Sequence, residues 1–236
     1  MVIAAILAGG VGKRMGDIDK PKQFLEIGGK PILVHTTEQF VRHNRIDHVV
    51  VLCPEEWIEY TRQVFRSCPG LIDIPVISGG PERNDTIMNA IGYIEREFGL
   101  DQDTVIVTHD AVRPFVTADM IDRNLDAIGT ADAVDTVMPA TDTIVVSADG
   151  THIIEVPDRK TLYQGQTPQT FRAAAFREIY GTLTGEEKAI LTDAIKAFVL
   201  KGRNVVIVRG STTNIKVTYK SDIEYAETIL ESISRE

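Results

Sequence analysis

Two cations stand just behind a glycine-rich turn in this chain. Leu7-Ala8-Gly9-Gly10-Val11-Gly12-Lys13-Arg14-Met15 follows an apolar run, and Pro21-Lys22-Gln23 comes soon after. Glycines let the backbone approach phosphate oxygens closely and turn its N–H groups toward them. Arg14 and Lys22 are then spaced to neutralise phosphate charge. Taken alone, the glycines also fit an ordinary turn beside solvated basic residues. Two better-known phosphate loops do not fit. A Walker loop needs G-x-x-x-x-G-K-[ST], and here Lys13 is followed by Arg14 after the wrong glycine spacing. A dinucleotide fingerprint needs a third glycine where Met15 stands, and an acidic residue some twenty positions on that is missing.

Four further segments carry groups of the right type. Gly79-Gly80-Pro81-Glu82-Arg83-Asn84-Asp85-Thr86 opens a helical pattern, where backbone amides and small polar groups can read a base edge or bind a ribose; a plain turn with an Asp or Thr cap is the structural alternative. In His109-Asp110-Ala111-Val112-Arg113-Pro114, Asp110 ends a strand candidate and is placed to hold Mg²⁺ against a triphosphate, since that ion takes one or two carboxylates plus phosphates and water. Arg113 could instead form a structural clasp with Asp110, and His109 reads as a hydrogen-bonded structural residue. Asp158-Arg159 and Tyr163-Gln164-Gly165-Gln166-Thr167-Pro168-Gln169 offer basic and hydroxyl groups able to grip a phosphate monoester, although an exposed segment often carries such residues anyway. Asn214-Ile215-Lys216-Val217-Thr218 places a lysine after a late strand-like run, a position that is more often a solvated edge.

The elements that must position these groups alternate along the chain. Apolar runs at Val2–Leu7, His48–Cys53, Ile74–Ser78, Thr104–Thr108, Ala133–Met138 and Val205–Val208 read as strands. Helical patterns near Ile32–His43, Glu56–Ser67, Arg83–Phe98 and Ala118–Ile128 separate the first five. Near-continuous apolar strands between helices predict an α/β, doubly wound, mostly parallel sheet with both faces covered. Functional loops then belong at the carboxyl ends of the strands. The alternation breaks over residues 140–171, where Thr143–Val146 and Thr151–Glu155 flank Ala148-Asp149-Gly150 and suggest a projecting β-hairpin arm. Helical patterns resume at Ala173–Tyr180, Glu186–Lys201 and Ser221–Ser234. One domain over residues 1–236, carrying an arm, is the economical organisation.

Bulk properties narrow the partners. The 236 residues are 43% hydrophobic and 25% charged, an ordinary globular balance. A formal net charge of −9 argues against a nucleic acid partner, while a few local cations can still bind a small anion. Cys53 and Cys68 lie in no metal-ligand or redox spacing, consistent with buried thiols in a reducing compartment. The apolar start, Met1 to Leu7, is too short for a signal peptide or membrane span, so a cytoplasmic location without membrane association is expected.

The first segment matches the nucleotidyltransferase signature L-A-G-G-x-G-x-R-M followed by P-K-Q. Here the sequence resembles the cytidylyltransferases of the methylerythritol-phosphate and ribitol-phosphate group, and five ordered motifs carry the resemblance from residue 4 to about residue 225. The resemblance implies that Leu7, Ala8, Gly9, Gly10 and Gly12 bind CTP, and that Gly80, Arg83 and Thr86 hold its cytosine end. It implies a cage of Arg14, Lys22 and Lys216 at the reacting phosphates, with Mg²⁺ on Asp110. A small polyol phosphate is then bound by Asp110, Arg113, Asp142, Thr143, Arg159 and Thr167, the last four from an arm crossing to the other subunit of a homodimer. Val112, Phe115 and Tyr163-Gln164-Gly165-Gln166 look more like the ribitol-phosphate branch, which serves wall or capsule polymers; the methylerythritol-phosphate branch of isoprenoid synthesis is the alternative. A non-catalytic nucleotide-binding module is a further alternative, and retention of Arg14, Lys22 and Lys216 together speaks against it.

Overall fold

The computed structural model describes residues 1–10, 20–233 and 235. Strand β1 (Val2–Leu7) shows how the pattern works. Ile3, Ala5 and Leu7 enter one buried cluster, while Ala4, Ile6 and Ala8 enter another on the opposite face. Side chains alternate across a strand, so a continuous apolar run is what a strand covered on both faces requires.

A two-residue pair, β2 (Glu26–Ile27) and β3 (Lys30–Pro31), leads into α1 (Ile32–Val41). Then follow β4 (His48–Cys53), α2 (Ile58–Arg66), β5 (Val76–Ser78), α3 (Arg83–Phe98), β6 (Val105–Asp110) and α4 (Ala118–Ala127). The chain continues through β7 (Ala133–Pro139), β8 (Tyr163–Arg172), α5 (Ala173–Thr182), α6 (Gly185–Ala189), α7 (Ala194–Leu200), β9 (Val205–Arg209) and α8 (Ser221–Ile233). The main sheet runs β5-β4-β1-β6-β8-β7-β9, parallel except that β8 is antiparallel to both β6 and β7. The architecture is thus the expected α/β, mostly parallel sheet. No helix among the described residues is long and apolar enough to cross a membrane.

Strand β8 corrects the arm expected over 140–171. Tyr163–Arg172 lies inside the sheet, although Gly165, Pro168 and three glutamines make it a poor strand sequence. Tertiary pairing overrides that weakness. Residues 169–172 pair with β6, and 163–165 and 169–171 pair with β7, leaving 166–168 outside the regular ladders. Pro168 has no N–H to give there, and an irregularity of this kind redirects backbone and side-chain groups. The segment between β7 and β8 is therefore shorter than expected. Its two proposed strands reduce to one bridge, Val146 to Glu155, around a turn in which the Asp149 carboxylate accepts from the Thr151 and His152 N–H groups, each at 2.8 Å. Ile144, Val145, Val146, Ile153, Ile154 and Val156 are exposed along it.

The helix expected over Glu186–Lys201 is divided into α6 and α7. Thr184 and Glu187 form a capping box at the start of α6, and Asp193 accepts from the Lys196 N–H at 3.0 Å to start α7 anew.

Candidate active site

A cavity of about 330 Å³ opens where the carboxyl ends of β1 and β6 meet the start of α3. Leu7, Ala8, Gly9, Gly10, Lys22, Gly80, Arg83, Thr86, Asp110 and Lys216 all line it. Of the predicted nucleotide-binding and catalytic groups, Gly12 and Arg14 lie outside the described residues. Five separate stretches of sequence thus converge on one space.

Local chemistry explains each placement. Behind the glycines, Gln23 donates to the Ala8 carbonyl at 2.7 Å and fixes the path of the chain after β1. Lys22 begins a short 3₁₀ turn after Pro21 and is almost fully buried; its Nζ donates to the Val217 carbonyl at 3.0 Å. On the opposite wall, the Gly80 N–H donates to Thr86 Oγ1 at 3.0 Å, closing the turn that opens α3. A side chain at Gly80 has no room, since a Cβ would lie 2.4 Å from Asp85 Cβ and 2.7 Å from its carbonyl carbon. Gly80 and Thr86 thus form a tight backbone turn.

Asp110 is the electrostatic centre. Oδ1 pairs with Arg83, and Oδ2 pairs with Lys216 at 2.8 Å and Arg113 at 3.5 Å. Burial alone would push this carboxyl up, but the charges of Arg83, Lys216 and Arg113 outweigh it and hold Asp110 well below the usual carboxylate range. Three cations therefore share one carboxylate, and Lys22 lines the same cavity. That leaves a local positive excess in an otherwise acidic protein, suited to a polyphosphate. Arg113 is itself buried, which lowers its pKa, and Asp110 offsets part of that cost. Its Nη1 also donates to the Asn214 carbonyl at 2.7 Å. The structural clasp suggested for Arg113 is thus present.

His109 is fully buried and neutral, its pKa driven down to about 3 chiefly by burial. Because a carbonyl only accepts, Nε2 carries the proton and donates to the Arg113 carbonyl at 3.0 Å. It braces the turn that presents Asp110 and Arg113, as its sequence context suggested.

The substrate-binding set divides. Thr167 lies in β8 rather than in the arm, and its buried Oγ1 accepts from the Asp110 N–H at 3.2 Å. Arg159 is in the arm, exposed, donating to the Thr141 carbonyl at 2.8 Å, and Asp142 and Thr143 are exposed nearby. None of these three lines the cavity. A second cavity of about 340 Å³ adjoins the first through Lys216 and is walled by Arg113, Gln164, Gly165 and Gln166 among others. Sequence reasoning passed over Gln23, Gln166 and Asn214 as site residues. All three stood within quoted motifs, but a side-chain amide that holds backbone gives no local signal of that role.

Among the described residues, no three His, Cys, Asp or Glu side chains cluster to hold a metal by themselves. Asp110 offers a single carboxylate, which suits an ion that takes most of its ligands from phosphates and water.

A glycine turn, a strand-end carboxylate and converging cations on a mostly parallel sheet define a nucleotidyltransferase. The family model for 2-C-methyl-D-erythritol 4-phosphate cytidylyltransferase (IspD) matches residues 2–232, and the chain belongs to this family. It is 43% identical over 234 residues to a ribitol-5-phosphate cytidylyltransferase of Lactiplantibacillus plantarum, covering 99% of this chain and 100% of that one. Among solved structures, the 4-diphosphocytidyl-2C-methyl-D-erythritol synthase of Anaerococcus prevotii superposes with a TM-score of 0.79 at 26% identity, covering 98% of this chain and 96% of that one. The 2-C-methyl-D-erythritol 4-phosphate cytidylyltransferase of Francisella tularensis gives 0.80 at 26% identity, with 96% and 98% covered.

Proposed function

We propose that this protein transfers CMP from CTP to D-ribitol 5-phosphate, giving CDP-ribitol and pyrophosphate. The observation that carries the chemistry is the convergence of Lys216, Arg83 and Arg113 on Asp110, with Lys22 and the glycine turn lining the same cavity. The choice of polyol is supported by the whole-length 43% identity to the ribitol-5-phosphate enzyme, against 26% to solved structures named for the methylerythritol substrate.

CTP occupies the first cavity. Its triphosphate lies over Gly9 and Gly10, and the pyrimidine edge is read by backbone groups at Gly80. The polyol phosphate occupies the second cavity beside Arg113. One of its phosphate oxygens attacks the α-phosphorus; the new P–O bond forms as the bond to the β-phosphate oxygen breaks, and pyrophosphate leaves. A phosphate monoester has a second pKa of about 6, so the nucleophile is ionised near neutral pH and needs no general base. The barrier is the approach of two anions, which positioned cations lower. Lys22, Lys216 and Arg14 supply that charge. Arg83 and Lys216 can exchange the Asp110 carboxylate for phosphate oxygens as CTP enters, and Asp110 is the residue that would hold Mg²⁺. Bound there, the ion would supply charge neutralisation for the triphosphate. The exposed apolar arm and Arg159 fit a homodimer whose subunits complete each other's polyol site, and the enzyme works in the cytoplasm, supplying wall or capsule polymer synthesis.

The mechanism is tested by Lys22→Ala, with pyrophosphate release followed at saturating CTP and ribitol 5-phosphate. Loss of one transition-state charge contact costs about 10²–10³ in rate. Lys22→Ala should therefore lower kcat far more than it raises KM for the polyol phosphate. A variant keeping over about a third of kcat would overturn the assignment.

A further inference from the structure

Lys216 lies in a segment without regular secondary structure, between β9 and α8. What holds such a segment determines where its ammonium points. Its backbone is tied at both ends: Gly210 N–H donates to the Val137 carbonyl of β7 at 2.8 Å, and Val217 N–H donates to the Val112 carbonyl, in the turn after β6, at 2.9 Å. Between these ties the backbone bonds are internal, Asn214 N–H to Ser211 and Ile215 N–H to Thr213. Side chains must supply the rest.

Gln166 reaches across from the unladdered stretch of β8. Its Nε2 donates to the Ser211 carbonyl at 2.9 Å. Its Oε1 accepts from the Ser211 N–H at 3.3 Å and from Asn214 Nδ2 at 3.2 Å. That Asn214 amide, fully buried, also donates to the Thr167 carbonyl at 2.8 Å, while the Asn214 carbonyl receives Arg113. Two residues later, Lys216 Nζ meets Asp110. The fit is two-sided. A Cβ on Gly210 would lie 2.3 Å from Gln166 Oε1 and 3.1 Å from its Cδ, so the amide packs flat against the glycine.

We propose that Gln166 is a positioning residue for phosphoryl transfer: it fixes residues 211–214 and thereby sets Lys216 against the reacting phosphates. The idea rests on the reading of Lys216 as a cage cation. Gln166 touches no reacting atom, and its effect passes through the lysine. A misplacement of about 1 Å in such a group can cost up to about a hundredfold in rate.

The test is a double-variant cycle on kcat. Gln166→Leu keeps the volume and removes all three hydrogen bonds; kcat should fall about tenfold or more, with KM for CTP changed less than about threefold. In a Lys216→Ala background the same substitution should cost less than about twofold, because the group it aims is gone. Gln166→Glu keeps an acceptor and loses the donor to Ser211, so kcat should fall between wild type and Gln166→Leu; it serves as the cycle partner if the leucine variant does not fold. Gly210→Ala should reproduce the kcat loss by displacing the amide, and should add little once Gln166 is already leucine. Equal losses from Gln166→Leu with and without Lys216 would overturn the proposal, as would a wild-type kcat in Gln166→Leu. A small effect of Lys216→Ala alone would instead sink the functional reading on which the proposal depends.

Discussion

Asp110→Asn keeps the side-chain volume and removes the one negative charge that three cations share. The cost differs by partner. The Lys216 side chain is 40% exposed and can turn to water, so its loss is that of a surface pair, about 0–1 kcal/mol. Arg83, at 23%, is intermediate. The Arg113 side chain, at 10%, has nowhere to go and stays beside a neutral amide. Breaking a buried pair from one side costs about 3–5 kcal/mol. Arg113 keeps its bond to the Asn214 carbonyl, which places the total nearer about 3 kcal/mol, a large share of ordinary domain stability. Urea unfolding followed through Trp57, the single tryptophan, measures it. The pH dependence has a definite sign. A carboxyl held below its unfolded value contributes fully above that value, about 3.9, and loses its contribution only as pH falls further. The penalty should thus be constant from pH 5 to 8 and shrink below about pH 4. A loss under about 1 kcal/mol, or one varying between pH 6 and 8, would refute Asp110 as the shared counter-charge.

Three other outcomes are expected. Asp135, pushed up to about 6 mainly by burial, holds a proton between about pH 4 and 6 that the unfolded chain lacks, so stability falls as pH rises through that window. Asp135→Asn should gain about 1–2 kcal/mol at pH 8 and nothing at pH 4, the full shift being discounted for partial exposure; equal stability to wild type at pH 8 would contradict it. Gly80→Ala must move backbone at Asp85, so KM for CTP should rise by roughly tenfold or more while Tm drops by a few degrees; unchanged CTP kinetics would show the base site is elsewhere. For the arm, Arg159→Ala and Lys22→Ala homodimers should each be nearly inactive. Random exchange between equal amounts makes about half the dimers mixed, each with one intact site, so activity should return to about a quarter of wild type. No recovery after exchange verified by mass would place Arg159 in its own subunit's site or outside binding.

The parallel part of the fold was legible because burial on both faces writes itself into continuous apolar runs such as Val2–Leu7. Arg83–Phe98 was read to its exact bounds for a similar reason, since one apolar face and the Gly79-Gly80-Pro81 turn mark it unambiguously. Strand β8 was not legible. Its place in the sheet comes from long-range pairing that overrides Gly165 and Pro168, and Gln166 and Thr167 fall where that pairing lapses. The motifs located Lys22, Gly80, Arg83, Asp110 and Lys216, and the fold brings them together. What motifs could not convey is that Arg83, Arg113 and Lys216 share one carboxylate, or that Thr167 supports Asp110 from inside the sheet. Those relations join residues up to 106 positions apart, as Asp110 and Lys216 are, and depend on geometry rather than on local pattern.

The central claim is tested most directly by supplying the purified protein with CTP and Mg²⁺ and comparing D-ribitol 5-phosphate with 2-C-methyl-D-erythritol 4-phosphate. Pyrophosphate release gives the rates, and ³¹P NMR identifies the diphosphate product. The account predicts CDP-ribitol, with kcat/KM for ribitol 5-phosphate at least about a hundredfold above that for the methylerythritol substrate, a margin that hydrogen-bonded recognition of hydroxyls can supply. Faster turnover of the methylerythritol substrate would contradict the choice of polyol, and release of no pyrophosphate with either would contradict the transfer itself.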